Sequence, residues 1–182
     1  MTNLEQLLEK YLADQRIQEI VDTLQQAQNT RTQLLGMAGA VEAFVLAATF
    51  KKHRQHYLFI ANDKEEAAYL QNNVAALFEK KTIHFFPDSF KRPRKFEVLD
   101  NTNVLQRTET INKFTHSKAT GEIIITYPEA LFEQVVAPEV LDAQRLDIVK
   151  GEDVDVKTII EVLTEYDFAR EAFVYEPGQF SV

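Results

Sequence analysis

The chain has 182 residues, of which 45% are hydrophobic and 26% charged, with a net charge of −8 and no cysteine. The lack of cysteine excludes disulfide scaffolds, cysteine-ligated zinc and thiol nucleophiles. The acidic balance argues against a chain whose main task is to grip a phosphate backbone. No apolar run reaches membrane-spanning length and no basic stretch precedes an apolar core at the start, so we expect a cytoplasmic protein without a membrane partner.

The chain begins with an amphipathic pattern that predicts helices over Leu4 to about Gln28. Apolar residues recur at three- and four-residue spacing, and Asp14-Gln15 can divide the pattern into two helices. The polar run 25–30 is typical of a connector. We therefore assign residues 1–30 to amino-terminal helices.

Residues 31–140 alternate between helical and strand-like patterns. Short apolar runs favour strands, and amphipathic stretches favour helices. The predicted elements are a helix over 40–53, a strand over 56–61, a helix capped by Asn62-Asp63, a strand over 82–86, a helix over 101–114, a strand over 122–127 and a short helix from Pro128 to about Val136. This order predicts an α/β domain with a parallel sheet and helices on both faces.

The pattern changes in residues 141–182. Residues 145–150 and 169–175 alternate polar and apolar side chains, as half-exposed antiparallel strands do. A helix is predicted from Val156 to near Tyr166, and a last strand over 179–182 has no evident pairing partner. We interpret this region as the start of a small second α+β domain that is cut off before it closes.

A short glycine loop before the 40–53 helix lies where a phosphate-binding loop would be. Gly36 and Gly39 supply part of the required backbone, but Glu42 occupies the position of the phosphate-binding lysine and Ala43 that of the magnesium-binding hydroxyl. A carboxylate at that position repels the γ-phosphate. The residues alone favour a plain helix-entry turn over a nucleotide site, and they predict no cofactor.

No other pattern carries catalytic chemistry. Four cations, Lys91, Arg92, Arg94 and Lys95, form a basic stretch that can touch nucleic acid weakly, although a solvated loop without a partner is the favoured interpretation. The four histidines show no metal-ligand spacing, and no serine has a nucleophile-elbow context. We therefore predict that the chain holds no catalytic or metal site.

Six segments nevertheless resemble one known family. They are 34–40, 57–67, 85–88, 123–131, 149–152 and the closing Tyr175-Glu176-Pro177-Gly178-Gln179-Phe180-Ser181-Val182. Together they resemble the amino-terminal region of the bacterial transcription-repair coupling factors (Mfd), which is itself similar to the excision-repair subunit UvrB. The resemblance covers about Leu34 to Val182.

This resemblance implies a RecA-like domain of the P-loop NTPase type over 31–140, whose nucleotide loop has decayed, followed by part of a UvrA-interaction domain. The chain would then be a non-catalytic, monomeric recruitment module of transcription-coupled nucleotide excision repair. In the intact parent, ATP and Mg²⁺ serve a distant DNA-translocase motor, and other parts contact RNA polymerase and DNA. The family's UvrA-contacting arginines fall after Val182, so none is assigned here.

Two alternatives remain beside this interpretation. The chain can be a nucleotide-binding domain of a helicase-like NTPase that is active in its own right, or a direct DNA binder through its basic stretch. The family's loop after the Phe-Pro pair is usually acidic or aromatic, whereas this chain carries Lys91-Arg92-Pro93-Arg94-Lys95 there. Because of this difference, no contact that the family makes through that loop is assigned to this chain.

Overall fold

The structure is a computed structural model that describes residues 3–26, 29–78, 83–90, 99–116, 121–137, 139–140, 148–151 and 153–182. The described helices are α1 (Asn3–Leu12), α2 (Gln15–Leu24), α3 (Val41–Lys52), α4 (Lys64–Ala75), α5 (Asn101–His116), α6 (Pro128–Phe132) and α7 (Val156–Glu165). The described strands are β1 (Tyr57–Ile60), β2 (Ile83–Phe85), β3 (Ile123–Thr126), β4 (Ala169–Arg170) and β5 (Gln179–Phe180).

Three strands form a parallel sheet in the order β1-β3-β2. Leu58 and His84 both align with Ile124 of the central strand, which sets the register. Each strand is joined to the next along the chain by a helix, because parallel neighbours need a crossover. The predicted α/β class with a parallel sheet is therefore confirmed.

The main core lies between this sheet and the helices α3 and α4. Ile123 and Ile125 of β3 are fully buried and share one apolar cluster with Leu46, Phe50 and the α4 side chains. α5 packs against β2. The alternation along β2 places His84 on the sheet face opposite Ile83, and the ring of Phe114 from α5 lies against it.

The predicted pair of amino-terminal helices is confirmed, and both helices pack on α3. Asp14 caps α2 by accepting a hydrogen bond from the Arg16 amide at 2.8 Å, which explains why the pattern divides there. Leu8 and Ile17 join Phe44 in a second apolar cluster. Because α3 carries residues of both clusters, it links the amino-terminal helices to the sheet domain.

Aspartate residues also cap the amino-terminal ends of two later helices. Asp63 accepts the Glu66 amide at 2.8 Å at the start of α4, as predicted from Asn62-Asp63, and Asp155 accepts the Lys157 amide at 3.1 Å at the start of α7. A carboxylate there satisfies a free amide and opposes the positive end of the helix dipole.

Several predicted strands and one helix are shorter in the structure. The helix from Pro128 ends at Phe132, because Glu133 takes up extended backbone and its side chain is engaged elsewhere. Ile148 and Val149 form no strand, although part of that prediction lies outside the described residues. The strand predicted over 169–175 covers only Ala169–Arg170.

The final strand has a partner, which corrects the prediction. β5 pairs in parallel with β4, with Gln179 beside Ala169 and Phe180 beside Arg170. The Gln179 side chain accepts the amides of Tyr175 and Glu176 at 2.9 and 3.1 Å, so it closes the turn between the two short strands. None of the described helices is long and apolar enough to cross a membrane.

Gly121 permits a close approach of two backbone segments before β3. A Cβ atom added there would lie 2.8 Å from the Gln55 carbonyl oxygen, whereas a Cβ atom added at Gly36 would meet nothing within 4 Å. Only glycine therefore fits beside Gln55 without moving the chain.

We predict that Gly121→Ala lowers the free energy of unfolding by about 1–3 kcal/mol, the usual cost of forcing atoms into a packed site. Urea unfolding measures the loss. Gly36→Ala is the matched control, because it carries only the cost of a left-handed backbone, about 1 kcal/mol. A loss at Gly121 no larger than at Gly36 would contradict the steric explanation.

Candidate functional site

The glycine loop has the backbone shape that the sequence predicted. Gly36 and Gly39 have φ angles of 76° and 60°, in the left-handed region, and α3 begins two residues after Gly39. Residues 29–35 form no strand, however, whereas a working phosphate loop connects a strand to a helix. The loop therefore has part of the geometry of a phosphate site and lacks its entrance strand.

The first turn of α3 differs from that of a phosphate-binding helix at two positions. Glu42 stands half-buried where a lysine would neutralise the β- and γ-phosphates, so its charge opposes them. Ala43 offers no hydroxyl for Mg²⁺, and its side chain is 1% exposed because it belongs to the main core. The structure thus brings Gly36, Gly39, Glu42 and Ala43 together at the start of one helix, and none of these four residues carries a cationic or hydroxyl side chain.

A cleft of about 680 Å³ adjoins this loop, between the α1–α2 pair and the 32–37 segment, with α3 at its base. Its lining mixes charged and apolar side chains, among them Lys10, Glu19, Ile20 and Val41. Arg16 is held by Asp14 at 2.6 Å. The cleft is large enough for a small molecule, but its lining shows no set of groups that converges on one ligand type.

A set of connected polar side chains lies at the carboxyl ends of β2 and β3, where the sequence had predicted no site. Asp88 is 5% exposed, and its Oδ1 accepts the Tyr127 hydroxyl and the Lys64 ammonium, the latter at 2.9 Å. The Tyr127 oxygen accepts the Asp88 amide at 2.9 Å, and Asn103 donates to the Asp88 carbonyl at 2.9 Å. We call these four residues the Asp88 clamp.

The clamp changes the acidity of its two central groups. Burial opposes ionisation of Asp88, but the hydrogen bonds from Tyr127 and Lys64 outweigh it, so the pKa of this carboxyl is lowered. Burial and donation to Asp88 both raise the pKa of the Tyr127 hydroxyl. Asp88 is therefore a stable carboxylate, and Tyr127 stays protonated and donates to it.

A buried cation, Arg107, holds the neighbouring part of the chain. Arg107 is 4% exposed and donates to the carbonyls of Pro87 and Ala130 at 2.7 and 3.0 Å. Its guanidinium also lies 4.2 Å from the centre of the Phe86 ring and 3.7 Å from the Glu133 carboxylate. Arg107 thereby ties the end of β2 to the residues that follow β3.

The residues on either side of the basic stretch are held by backbone contacts. The Ser89 amide donates to Glu133 at 2.8 Å, and the Asp100 amide donates to the Ser89 carbonyl at 2.7 Å. Phe90 and Leu99 form an antiparallel bridge. The ends of the segment are thus fixed on the sheet domain, whereas Lys91, Arg92, Arg94 and Lys95 themselves lie outside the described residues.

The clamp could be found from the sequence only in part. The Phe86-Pro87-Asp88 sequence ends a predicted strand, and polar residues at the carboxyl ends of parallel strands are frequent site residues. Arg107 and Glu133, in contrast, look like ordinary surface charges within or beside a helix. Their roles depend on which distant carbonyls and amides the fold brings next to them.

A second ionisable pair lies at the other end of the sheet. His84 Nε2 and Glu122 Oε2 are 2.9 Å apart and nearly buried, although neither atom has a partner with hydrogen-bond geometry. Burial lowers the pKa of His84 and the charge of Lys113 adds to this, which together outweigh the opposing carboxylate of Glu122. The described residues contain no group of three or more metal-ligating side chains.

Comparison with known proteins agrees with the resemblance found in the sequence. A transcription-repair-coupling factor of Staphylococcus haemolyticus is 21% identical over 169 residues, which are 93% of this chain and 14% of that protein. The chain is similar to these coupling factors. The Bacillus subtilis transcription-repair-coupling factor is 22% identical over 150 residues, 82% of the chain and 12% of the relative.

A second group of relatives is UvrABC system protein B. The protein from Methanosarcina acetivorans is 22% identical over 178 residues, 92% of this chain and 26% of that protein. No protein-family model matches the chain. The predicted similarity to coupling factors and UvrB is confirmed, and the chain spans between 12% and 27% of the length of these relatives.

We predict that Tyr127→Phe lowers the free energy of unfolding by about 1–3 kcal/mol, because the buried Asp88 amide and carboxylate each lose a partner. Chemical unfolding followed by circular dichroism measures this. Tyr69→Phe removes the same hydroxyl from a side chain that is 67% exposed and serves as the control. Equal effects of the two substitutions would rule out the clamp as a source of stability.

We also predict that acidification destabilises the fold through His84. The pKa of this residue is lower when folded than its ordinary value of about 6.5, so the unfolded chain binds the proton more readily. The contribution of neutral His84 to the free energy of unfolding is fully present above pH 6.5, and it is lost as the pH falls through the pKa of His84 in the folded protein. Unfolding free energies at pH 7.5 and 5 should differ less in His84→Gln than in the natural chain. Parallel pH profiles would refute the prediction.

Proposed function

We propose that this chain is a UvrB-like module of nucleotide excision repair that recruits other proteins and does not itself hydrolyse nucleotide. Similarity to coupling factors and to UvrB over most of the chain supports its place in repair. In this proposal residues 31–140 are a RecA-like domain whose nucleotide loop has decayed. The chain would work as one part of a longer ATP-driven DNA translocase whose motor lies elsewhere.

The observation that carries the non-catalytic assignment is the first turn of α3. Glu42 places a negative charge where a phosphate would need a positive one, and Ala43 is committed to the core. Replacing a phosphate-binding lysine by a carboxylate reverses the sign of the strongest interaction in such a site. This combination supports a module that keeps the domain architecture of a nucleotide-binding protein without its activity.

The partner we propose for this module is UvrA, contacted through the second domain over 141–182 and the residues that would follow it. In the described part of this region the exposed aromatic side chains Phe173 and Tyr175 lie with their ring centres 6.4 Å apart, 70% and 83% exposed. Exposed aromatic side chains are common at protein interfaces. RNA polymerase and DNA would be bound by other parts of the longer protein.

We predict that titration calorimetry with millimolar Mg·ATP shows no binding to this chain. Glu42→Lys is the matched variant, because it reverses the unfavourable charge and leaves the buried Ala43 unchanged. A weak gain of binding in Glu42→Lys would identify the carboxylate as the cause. Micromolar binding of Mg·ATP by the natural chain would overturn the non-catalytic assignment and favour an NTPase that is active in its own right.

We predict further that immobilised UvrA captures the 182-residue chain less well than a version extended through the following strands. The family's contact arginines fall after Val182, which is the reason for the difference. Pull-downs at matched concentrations measure the captured fraction. Equal capture would show that the contact lies within these 182 residues, and no capture by either version would contradict the recruitment role.

A further inference from the structure

Several cationic side chains lie at the amino end of the parallel sheet, opposite the Asp88 clamp. We propose that four of them form a surface that binds the phosphate backbone of duplex DNA. These residues, called the amino-end patch, are Lys51, Lys52, Arg54 and Lys113. The inference is independent of UvrA recruitment. It adds a DNA contact of this chain to those that the proposed function places elsewhere in the longer protein.

The register of the sheet brings three of the four residues to this end. The first residues of the three strands are aligned with one another, so the residues just before each strand lie at the same end of the sheet. α3 ends in Lys51 and Lys52, and Arg54 follows two residues later. The Tyr57 hydroxyl donates to the His53 carbonyl at 2.9 Å, which holds this helix end beside the start of β1.

Two further contacts bring α5 and the entry to β3 to the same place. The ring centres of His56 and Phe114 are 4.8 Å apart, and the exposed Lys113 is the residue beside Phe114 on α5. A Cβ atom added at Gly121 would lie 2.9 Å from the Arg54 Cγ atom, so the Arg54 side chain lies against the entry to β3. Cations of two helices therefore share one end of the domain.

The charges of the amino-end patch are not neutralised by neighbouring acids. Among the described residues, no carboxylate forms an ion pair with any of the four cations. Lys52 donates to the neutral Gln18 side chain at 2.8 Å, and the guanidinium carbon of Arg54 lies 5.4 Å from the centre of the Phe50 ring. Both contacts leave the positive charge in place. Glu122, just before β3, is 7% exposed and presents little of its charge to solvent.

The fold also separates this patch from exposed acidic residues at the other end of the sheet. Asp63 and Glu65 follow β1, and Glu129 follows β3. Both strands have four residues, which places the two ends about 13 Å apart at 3.3 Å per residue. Exposed charges further apart than about 8 Å are largely screened at physiological salt. A polyanion at the patch therefore interacts mainly with the four cations, despite the net charge of −8.

The side chains around the patch favour a duplex backbone over a protein or a single strand. Protein interfaces have apolar or aromatic anchors at their centre, but none of the residues 50–57 and 112–115 is a large apolar residue with an exposed side chain. Single strands are bound by stacking on aromatic faces, whereas Phe50 is 2% exposed and Tyr57 and Phe114 are partly buried. Cations without such anchors are typical of contacts to duplex phosphates.

Fluorescence anisotropy with a short labelled DNA duplex of mixed sequence tests the proposal on the 182-residue chain. We expect binding at low salt and a slope of about −3 to −4 for the logarithm of the association constant against that of the salt concentration, because each phosphate contact contributes about −0.9. In Lys51→Gln/Arg54→Gln/Lys113→Gln the slope should change to about −1 and the affinity at low salt should fall at least ~10-fold. No binding at low salt, or a slope no steeper than about −1 in the natural chain, overturns the proposal.

The matched control is Lys10→Gln/Lys150→Gln/Arg170→Gln, which removes the same charge from exposed cations outside the patch. We expect this variant to bind within about 2-fold of the natural chain. Equal weakening in the two triple variants would show that only net charge matters and would refute a defined surface. Circular dichroism checks that each variant is folded. Should the patch variant not fold, Lys51→Gln and Lys113→Gln alone, on two different helices, should each weaken binding at least ~2-fold.

Two other results would assign the binding elsewhere and overturn the proposal. One is loss of binding when Lys91, Arg92, Arg94 and Lys95 are changed to Gln, with the patch variant unchanged, because the contact would then lie in the basic stretch. The other is tighter binding of poly-glutamate than of the duplex, which would identify an acidic protein as the partner. Failure of UvrA capture would contradict the proposed recruitment and leave the DNA measurement unaffected, so the two ideas can fail separately.

Discussion

The ionised carboxylate of Asp88 is the constraint around which the carboxyl end of the sheet is organised. A buried charge is costly unless it is paired and hydrogen-bonded, and Asp88 reaches both conditions only because Lys64, Tyr127 and its own amide converge on it. These partners come from the start of α4, the end of β2 and the end of β3. Satisfying one charge thus fixes the relative positions of three segments that are distant in sequence.

The helices and strands could be predicted from the sequence more fully than the side-chain contacts between them. Asp63 was recognisable as a helix cap and Asp14 as part of a break between two helices, because both signals are local interactions between neighbours in the chain. The parallel sheet followed from apolar runs separated by helices. The role of Arg107 could not be predicted, because it consists of hydrogen bonds to the carbonyls of Pro87 and Ala130. The residue pattern of a single helix does not reveal which carbonyls the fold places beside it.

The β4–β5 pair escaped prediction for a related reason. The sequence predicted a strand at each of the two places, but the pairing of β4 with β5 depends on the Gln179 side chain, which accepts the Tyr175 amide in the intervening loop. The glycine loop is the opposite case: Gly36 and Gly39 have the left-handed backbone that their spacing suggested, whereas the lack of phosphate chemistry inferred from Glu42 stays a prediction. Shape and chemistry at that loop are separable, because backbone conformation depends on glycine, whereas phosphate affinity depends on charge.

The first turn of α3 takes part in packing on two sides of the helix. Ala43 belongs to the cluster that faces the sheet, and the adjacent Phe44 belongs to the cluster that faces the amino-terminal helices, where it stacks on Tyr11 with ring centres 5.0 Å apart. The helix is therefore buried from two sides from its first turn onward. A helix that receives a nucleotide needs its amino end free to approach the phosphates.

Burial is distributed unevenly among the described residues. Of the described residues from 148 onward only Phe180 is buried, and α7 has no buried residue although one of its faces is apolar. Regions with few buried contacts open at lower free energy than the core. In the proposed function, a partner that covers the apolar face of α7 would supply the burial that this region lacks.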